Sequence, residues 1–203
     1  MIRDTLVEVT SLKRKLEDNT LEGVWAERAG ETKTLADWIL GFVAQPHPNV
    51  GRSGPVCPAT PPAIRQGTFY CAMSSRSPHE TDALEAEILD LLDFVEALEP
   101  REGRAAELRT VTIALPAWLE LGSDVGAAIN RVHQKLKPRF VDRGFMLGEF
   151  YPGHPSPGIR NSTFRPLASP MPAFVIRPMV ALDLIFLATN TAYLETYFKR
   201  FGP

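Results

Sequence analysis

The side chains best suited to chemistry lie in residues 150–166, which read FYPGHPSPGIRNSTFRP. His154 stands among prolines and glycines and is followed by Arg160, Asn161 and Arg165. Proline fixes φ and removes a backbone donor, while glycine widens the allowed range of φ, so this segment cannot run as a helix or a central strand. Shaped loops on a rigid scaffold often carry binding and catalytic residues. The alternative is a surface connector with a solvated histidine.

A second loop rich in proline and glycine, residues 46–62, offers a similar set of side chains. It carries His47, Arg52 and Cys57. Because Pro58 removes a competing donor next to Cys57, the sulfur is a candidate thiolate ligand for a metal; a small buried apolar residue is the alternative. In the loop that carries His154, Arg160 and Arg165 close to glycine favour a carboxylate or phosphate partner; a solvated loop fixed by ion pairs with Asp or Glu is the alternative.

Familiar catalytic motifs are absent from the sequence. It contains no P-loop, dinucleotide fingerprint, HExxH, CxxC pair, EF-hand or GxSxG elbow. Apart from Glu149, no second histidine or carboxylate lies near His154 along the chain, so a zinc site built from local ligands is not expected. His133, in the helical pattern INRVHQKLK, is interpreted as a surface residue, and Cys71, in the strand pattern GTFYCAM, as a core residue.

The composition is that of an ordinary globular protein. The 203 residues are 44% hydrophobic and 23% charged, which suits one domain with a sizeable core. The formal net charge of −2 favours neither nucleic acid nor an anionic membrane, and no apolar run predicts a spanning helix. With two cysteines and a charged first segment unlike a signal peptide, we expect a cytoplasmic protein.

Hydrophobic periodicity predicts interleaved helices and strands around the two loops. Helices are expected from Thr34 to Pro46 and over 80–98, 123–142 and 183–201; strands are expected over 67–73, 108–115, 145–150 and 173–177. Pro100 and Gly103 should end the second helix, and Pro138 should stop or kink the third. Arg177 and Asp183 are interpreted as a structural ion pair.

These elements predict a single domain over 1–203 of the α+β or α/β class. Helices should pack on a mixed sheet of about four strands, with a long helix at the C-terminus. Residues 1–30 are interpreted as a loosely attached arm. If the two loops lie at the same end of the sheet, they meet over one cleft.

Two blocks of the sequence resemble known families. GRSGPVCPATPPAIRQGTFY and LGEFYPGHPSPGIRNSTFRPLASPMPAFVIRPM resemble an uncharacterised bacterial domain family found near natural-product genes and, more distantly, the YqcI/YcgG family. Members of the latter show a Pro-Cys segment leading into a strand and, much later, a His-Pro-x-x-Ser-Arg loop before an apolar strand. Here Gly158, Ile159 and Arg160 replace the Ser-Arg of that loop.

The YqcI/YcgG family includes haem-dependent oxygenases that hydroxylate nitrogen, so the resemblance implies haem bound between the two blocks. His154 is then the candidate axial ligand and Cys57 its rival, since histidine suits oxygen binding and thiolate suits O–O cleavage. The side chains expected to hold propionates or an acidic substrate group come from both loops: His47, Arg52, Arg160, Asn161 and Arg165.

Three functions follow as hypotheses. The first is a haem-dependent oxygenase of a biosynthetic pathway, an iron-containing oxidoreductase acting on a small amine, guanidine or amino acid. The second is a cofactor-free binding or accessory protein whose loops hold an acidic small molecule. The third is a metal-independent enzyme with His154 as general base. The expected partner is a small-molecule substrate rather than nucleic acid or a membrane, and residues 183–201 could form a homodimer interface.

Overall fold

A mixed five-stranded sheet carries the fold in the computed structural model, which describes residues 1–98 and 102–202. In the order in which they pair, the strands are β1 (Val7–Glu8), β2 (Phe69–Met73), β3 (Thr110–Ala114), β5 (Ala173–Pro178) and β4 (Phe145–Phe150). β2 and β3 run parallel, and the other neighbouring pairs run antiparallel. β4 is therefore an edge strand, paired on one side with β5.

Nine α-helices lie within the described residues and cover the sheet. They are α1 (Val9–Glu17), α2 (Gly23–Glu27), α3 (Ala29–Trp38), α4 (Thr60–Arg65), α5 (Thr81–Ala97), α6 (Gly103–Leu108), α7 (Val125–Asp142), α8 (Leu184–Leu187) and α9 (Thr191–Phe201). A π-helical turn, Ile39–Val43, continues α3. Short 3₁₀ segments span Ile2–Thr5, Pro48–Val50, Pro78–Glu80, Pro116–Asp124 and Ala181–Asp183. No helix in the described part of the chain is long and apolar enough to cross a membrane.

The sheet separates two large hydrophobic cores, and a third, smaller cluster joins Met146 of β4 to Tyr197 of α9. The first includes Leu91 of α5 and Ile129 of α7, which are fully buried. The second joins the N-terminal helices to the opposite side of the sheet and includes Leu35 of α3 and Cys71 of β2. The prediction that Cys71 is a core residue is confirmed, as are the single domain, the α+β class and the mixed sheet.

The N-terminal segment is part of the fold, so the interpretation of residues 1–30 as a loosely attached arm was wrong. β1 pairs with β2, with Val7 opposite Cys71. Ile2, Val9 and Leu12 are buried in the two cores. A strand of two residues carries too short a pattern to be recognised in the sequence, and the sheet therefore has five strands rather than four.

The C-terminal segment is not one long helix, which corrects the sequence prediction for 183–201. α8 ends at Leu187 and α9 begins at Thr191. The break occurs because Asn190 acts as an N-cap: its side-chain oxygen accepts the backbone N–H of Ala192 at 3.0 Å and of Tyr193 at 3.4 Å.

α7 continues through Pro138 instead of stopping there. Pro138 is exposed, so water can take the place of the hydrogen bond that the ring removes, while Leu136, Phe140 and Val141 around it are buried. Packing thus outweighs the local cost of the proline. Pro100, expected to help end the helix over 80–98, lies outside the described residues, and that helix ends at Ala97.

The interpretation of Arg177 and Asp183 as a structural ion pair is confirmed. The Nη1–Oδ2 distance is 2.7 Å and the Nη2–Oδ1 distance is 2.5 Å. Asp183 is 1% exposed and also accepts the backbone N–H of Val180 at 2.8 Å. The pair ties the end of β5 to the start of the C-terminal helices.

Replacing this arginine should destabilise the protein. Arg177→Met leaves a buried carboxylate without its countercharge, and we expect the free energy of unfolding to fall by about 2–4 kcal/mol. Urea denaturation measures the change. Arg131→Met, at an exposed position of α7, is the matched control and should stay within about 0.5 kcal/mol of the native protein. Equal stability of the two variants would contradict a structural role for the pair.

Candidate functional site

The two proline-rich loops lie against each other. The side-chain amide of Asn161 donates to the carbonyl of Asn49 at 2.9 Å. The ring of His47 stacks on Phe164, with 4.9 Å between the ring centroids. At Gly51, where φ is +77°, a Cβ would lie 2.9 Å from the Cβ of Arg160. The loops thus meet, as their order in the chain suggested, but they meet in direct contact.

The arginines of these loops are largely engaged with their own backbone. Arg52 donates to two carbonyls of its loop, each at 3.0 Å. Arg165 donates to two carbonyls of its loop, at 2.5 and 3.1 Å. Arg160 is exposed, and its side chain makes no hydrogen bond within the described part of the chain. The guanidinium groups of Arg52 and Arg165 therefore shape the loops, and an anion clamp made of all three stays a prediction.

Cys57 is a half-buried free thiol in the first loop. Its backbone N–H donates to the carbonyl of Val43 at 3.0 Å, which ties the loop to the π-helical turn. No hydrogen bond or ring contact among the described residues joins Cys57 to His154. Nor do residues 1–98 and 102–202 contain a group of three or more His, Cys, Asp or Glu side chains arranged to hold a metal ion.

His154 is buried next to two side chains: Glu149, near the end of β4, and Tyr151, which follows the strand. Its side chain is 4% exposed, and its ring centroid lies 4.3 Å from that of Tyr151. Nδ1 accepts the backbone N–H of Ser156 at 3.2 Å, so Nε2 carries the proton of the neutral ring. Nε2 faces Oε1 of Glu149 at 3.8 Å and has no hydrogen-bond partner.

A second histidine reaches the same carboxyl group from α7. Nε2 of His133 lies 2.8 Å from the carbonyl oxygen of Leu147; since that oxygen can only accept, Nε2 must donate. Nδ1 faces Oε2 of Glu149 at 3.6 Å. The side chain is 13% exposed. The interpretation of His133 as a surface residue was therefore wrong, because α7 packs this part of its surface against β4.

Glu149 points toward α7 because side chains alternate along β4. Leu147 and Tyr151, two residues to either side, belong to the core beneath α7, whereas Phe150 packs against the opposite core. The carboxyl group is largely withdrawn from water, and Oε2 is buried without a hydrogen-bond partner. This burial raises the pKa of Glu149 to about 7, although the ammonium of Lys137 acts in the opposite direction.

His154, Glu149 and His133 form a row in which each group can donate or accept a proton at a defined atom. His154 presents an N–H to Oε1 of Glu149, and His133 presents an unprotonated nitrogen to Oε2. Burial lowers the pKa of His133 to about 4 and also lowers the pKa of His154, so both rings are neutral at pH 7. The two distances, 3.6 and 3.8 Å, exceed the ordinary hydrogen-bond length by about 0.7 and 0.9 Å, and such distances commonly shorten when a catalytic site binds its substrate.

Other polar side chains of α7 adjoin this set. Asn130, His133 and Lys137 occupy positions i, i+3 and i+7 on one face of the helix. The amide of Asn130 donates to the hydroxyl of Tyr151 at 3.2 Å. Burial lowers the pKa of Lys137, whose Nζ lies 5.6 Å from the ring centroid of Tyr193. The ammonium of Lys137 also interacts electrostatically with the carboxyl group of Glu149.

The surroundings of His154 do not fit an axial ligand of haem. A ligand must direct one ring nitrogen into an apolar slot wide enough for the porphyrin. Here Nδ1 accepts the N–H of Ser156, and Nε2 faces Glu149 within a side chain that is 4% exposed. Neither nitrogen of His154 opens onto such a slot.

The sequence points to His154 but not to its partners. Along the chain Glu149 is no more than a neighbour of His154, and no motif marks His133 or Lys137 as a site residue. Phe145, Leu147 and Tyr151 share a strand face with Glu149, but Met146 and Phe150 make the other face apolar too. The strand pattern therefore does not reveal that the carboxyl group is buried.

The pKa of Glu149 predicts how its replacement should alter stability with pH. Its folded-state pKa of about 7 exceeds the ordinary value of about 4.3, so the native protein loses stability as pH rises between these values. Glu149→Gln has no such charge to bury. Its stability relative to the native protein should therefore increase from pH 5 to pH 8, by about 1–3 kcal/mol in urea denaturation.

Glu120→Gln, at an exposed position, is the control, and its stability difference from the native protein should hardly vary with pH. A Glu149→Gln difference that is equally independent of pH would show that the carboxyl group is not held in a charge-disfavouring environment.

Comparison with known proteins places the chain in a family. No curated protein and no solved structure matches it. Residues 32–203, which include both loops, α7, β4 and the C-terminal helices, match the family model described as Domain of unknown function (DUF6875). Since this match covers most of the sequence, the chain belongs to that family.

Proposed function

We propose that the protein is an enzyme that moves protons to and from a small-molecule substrate, with Glu149 as the group that accepts and returns the proton. One observation carries the proposal: the Glu149 carboxyl group lies between Nε2 of His154 and Nδ1 of His133, at 3.8 and 3.6 Å. In this role His154 donates a hydrogen bond to the carboxylate. His133 accepts one from the carboxylic acid.

Unpartnered buried atoms support a ligand at this position. A buried polar group without a hydrogen bond costs about 1–3 kcal/mol, and native structures keep few of them. The side-chain atoms of this kind in the described part of the chain are Trp38 Nε1, Glu149 Oε2 and His154 Nε2. Two of these three atoms therefore belong to the Glu149–His154 pair. A substrate that forms hydrogen bonds with them would remove the free-energy cost of leaving them unpaired.

The acidity of the carboxyl group also supports the proposal. General acid–base catalysis is most effective when the pKa of the catalytic group lies near the working pH, because both protonation states are then populated. Burial brings the pKa of Glu149 to about 7. Groups whose pKa is shifted by burial and that share one site with other titratable groups are typical of active sites.

The neighbouring charge supports a small anionic substrate. Lys137 is a half-buried cation that interacts with Glu149 and can hold a carboxylate or phosphate group beside it. Glu149 and His133 keep 15% and 13% of their side-chain surface exposed, which leaves an approach from solvent. A cytoplasmic location is part of the proposal, supported by two cysteines that are both free thiols.

This proposal is closest to the hypothesis of a metal-independent enzyme, with Glu149 taking the place of His154 as the base. The haem-dependent oxygenase remains a prediction that rests on the resemblance of two sequence blocks. The binding or accessory protein remains a prediction as well. Of the three arginines expected to hold its ligand, Arg52 and Arg165 donate to carbonyls of their own loops.

Deuterium exchange tests the proposal whatever the net reaction is. The protein is incubated in D₂O with a panel of small keto acids, amino acids and phosphorylated carbonyl compounds, and deuterium incorporation is read by mass spectrometry. We expect protein-dependent exchange in at least one compound, at a rate that rises with pH and levels off above about pH 7.

Substitution of the base should abolish most of this exchange. Glu149→Gln should lower the rate by about 10²–10⁴-fold, since the side chain can no longer accept a proton. The exposed control Glu120→Gln should keep the native rate. Exchange that is equally fast in Glu149→Gln would contradict the role of Glu149, and a Soret band on addition of haemin that is lost in His154→Ala would support the haem prediction instead.

A further inference from the structure

The C-terminal helices expose an apolar surface that the proposed chemistry does not use. Six of the nine exposed large hydrophobic residues in the described part of the chain fall in residues 180–201. We call them the C-terminal apolar surface: Val180, Leu182, Ile185, Phe186, Phe198 and Phe201. Leu182 is 80% exposed, Ile185 56% and Phe198 55%. Single exposed apolar residues are normal, but six of them on or beside helices that pack against each other favour an interaction site.

Tyr197 joins the two halves of this surface. Its hydroxyl donates to the carbonyl of Ala181 at 2.7 Å, which holds α9 against the 3₁₀ segment that precedes α8. Its ring centroid lies 5.5 Å from that of Phe198 and 5.1 Å from that of Phe201. Tyr197 also shares a buried cluster with Leu187 of α8, so the two helices that carry the exposed residues pack on each other.

The area of this surface approaches that of one side of a stable interface. Large side chains offer on the order of 200 Å² when fully exposed, so the six exposed fractions correspond to roughly 600 Å². The largest apolar patch on an ordinary monomer is about 300–600 Å², and each partner in a standard complex buries about 800 Å². A polar margin around the apolar surface supplies the remainder.

The charged residues beside the apolar surface are placed so that two copies of it can attract each other. Leu194, Phe198 and Phe201 form a stripe along α9, and Glu195 and Lys199 lie next to it at i and i+4. No ion pair with another described residue uses either of these two charges. Because the acid precedes Phe198 and the base follows it, two copies of α9 packed antiparallel would bring unlike charges together twice.

We propose that this chain forms a two-fold symmetric homodimer through the C-terminal apolar surface. α9 packs antiparallel to its copy near Phe198, and Glu195 pairs with Lys199 of the partner subunit. The helix dipoles also oppose each other in this arrangement. Arg200 also lies beside this surface, 5.8 Å from the ring centroid of Phe201, so the margin carries one acidic and two basic residues. The pairing of Glu195 with Lys199 favours a second copy of the chain as the occupant, and binding to a membrane surface is an outcome that the test below distinguishes.

Analytical ultracentrifugation of the full chain tests the dimer. We expect a concentration-dependent monomer–dimer equilibrium, with the dissociation constant raised about 30-fold or more in Phe198→Glu, which places a charge in the apolar centre. Leu119→Ser removes an exposed apolar residue outside the surface (41% exposed) and should leave the constant unchanged. Circular dichroism checks that each variant remains folded.

Charge reversal distinguishes the proposed arrangement from unspecific apolar association. Glu195→Lys and Lys199→Glu should each weaken the dimer about tenfold, and the double variant with both changes should restore native affinity, because the pairs re-form with reversed sign. Three results would overturn the proposal: a monomer at all concentrations, a dimer unaffected by Phe198→Glu or by single charge reversal, or binding of the monomer to vesicles of mixed neutral and anionic lipid.

Discussion

The packing of α7 against the edge strand β4 is the contact on which both the core and the candidate site depend. The apolar positions of α7, such as Val132 and Leu136, are buried in the core beneath the sheet. His133 follows Val132 by one position, so the same packing carries its ring to the backbone of Leu147 and to the carboxyl group of Glu149. Fold stability and site geometry therefore arise from a single contact.

That contact also sets the chemistry of the site. Burial disfavours charge on all three groups, which raises the pKa of the carboxyl and lowers the pKa of both imidazoles. A site deep in the interior would suppress ionisation altogether, but β4 lies at the edge of the sheet, where Glu149 keeps some exposure. Near neutral pH the carboxyl group can then exist in both protonation states. α9 lies beside this region through Tyr193, which contacts Lys137 and connects the C-terminal surface to the same helix.

Much of the fold could be predicted from local pattern alone. The predicted strand over 145–150 coincides with β4, and in the structure Gly144, at a φ of +75°, turns the chain just before it. The sequence prediction failed where a run of residues was too short to show a pattern, or where capping or packing outweighed the local preference. β1 has two residues, Asn190 caps a new helix within an apolar run, and Pro138 is tolerated because the residues around it are buried.

The site was less predictable than the fold, for a physical reason. Composition showed that the two loops must be irregular, but it could not show that Arg52 and Arg165 donate to their own carbonyls. His133 is buried because β4 packs against its side of α7. The spacing of apolar residues along α7 does not show which strand lies there. The same holds for Glu149, because both faces of its strand carry apolar residues and the sequence does not show which face α7 covers.

The ionisation of Glu149 tests the central claim most directly. Carbon-13 NMR of the carboxyl carbon, assigned by its loss in Glu149→Gln, follows this group through a pH titration of the intact protein. The site described above predicts a midpoint at about pH 7. A midpoint near the ordinary glutamate value of about 4.3 would contradict it, because the carboxyl group would then be charged and solvated at neutral pH and unsuited to exchange protons with a substrate.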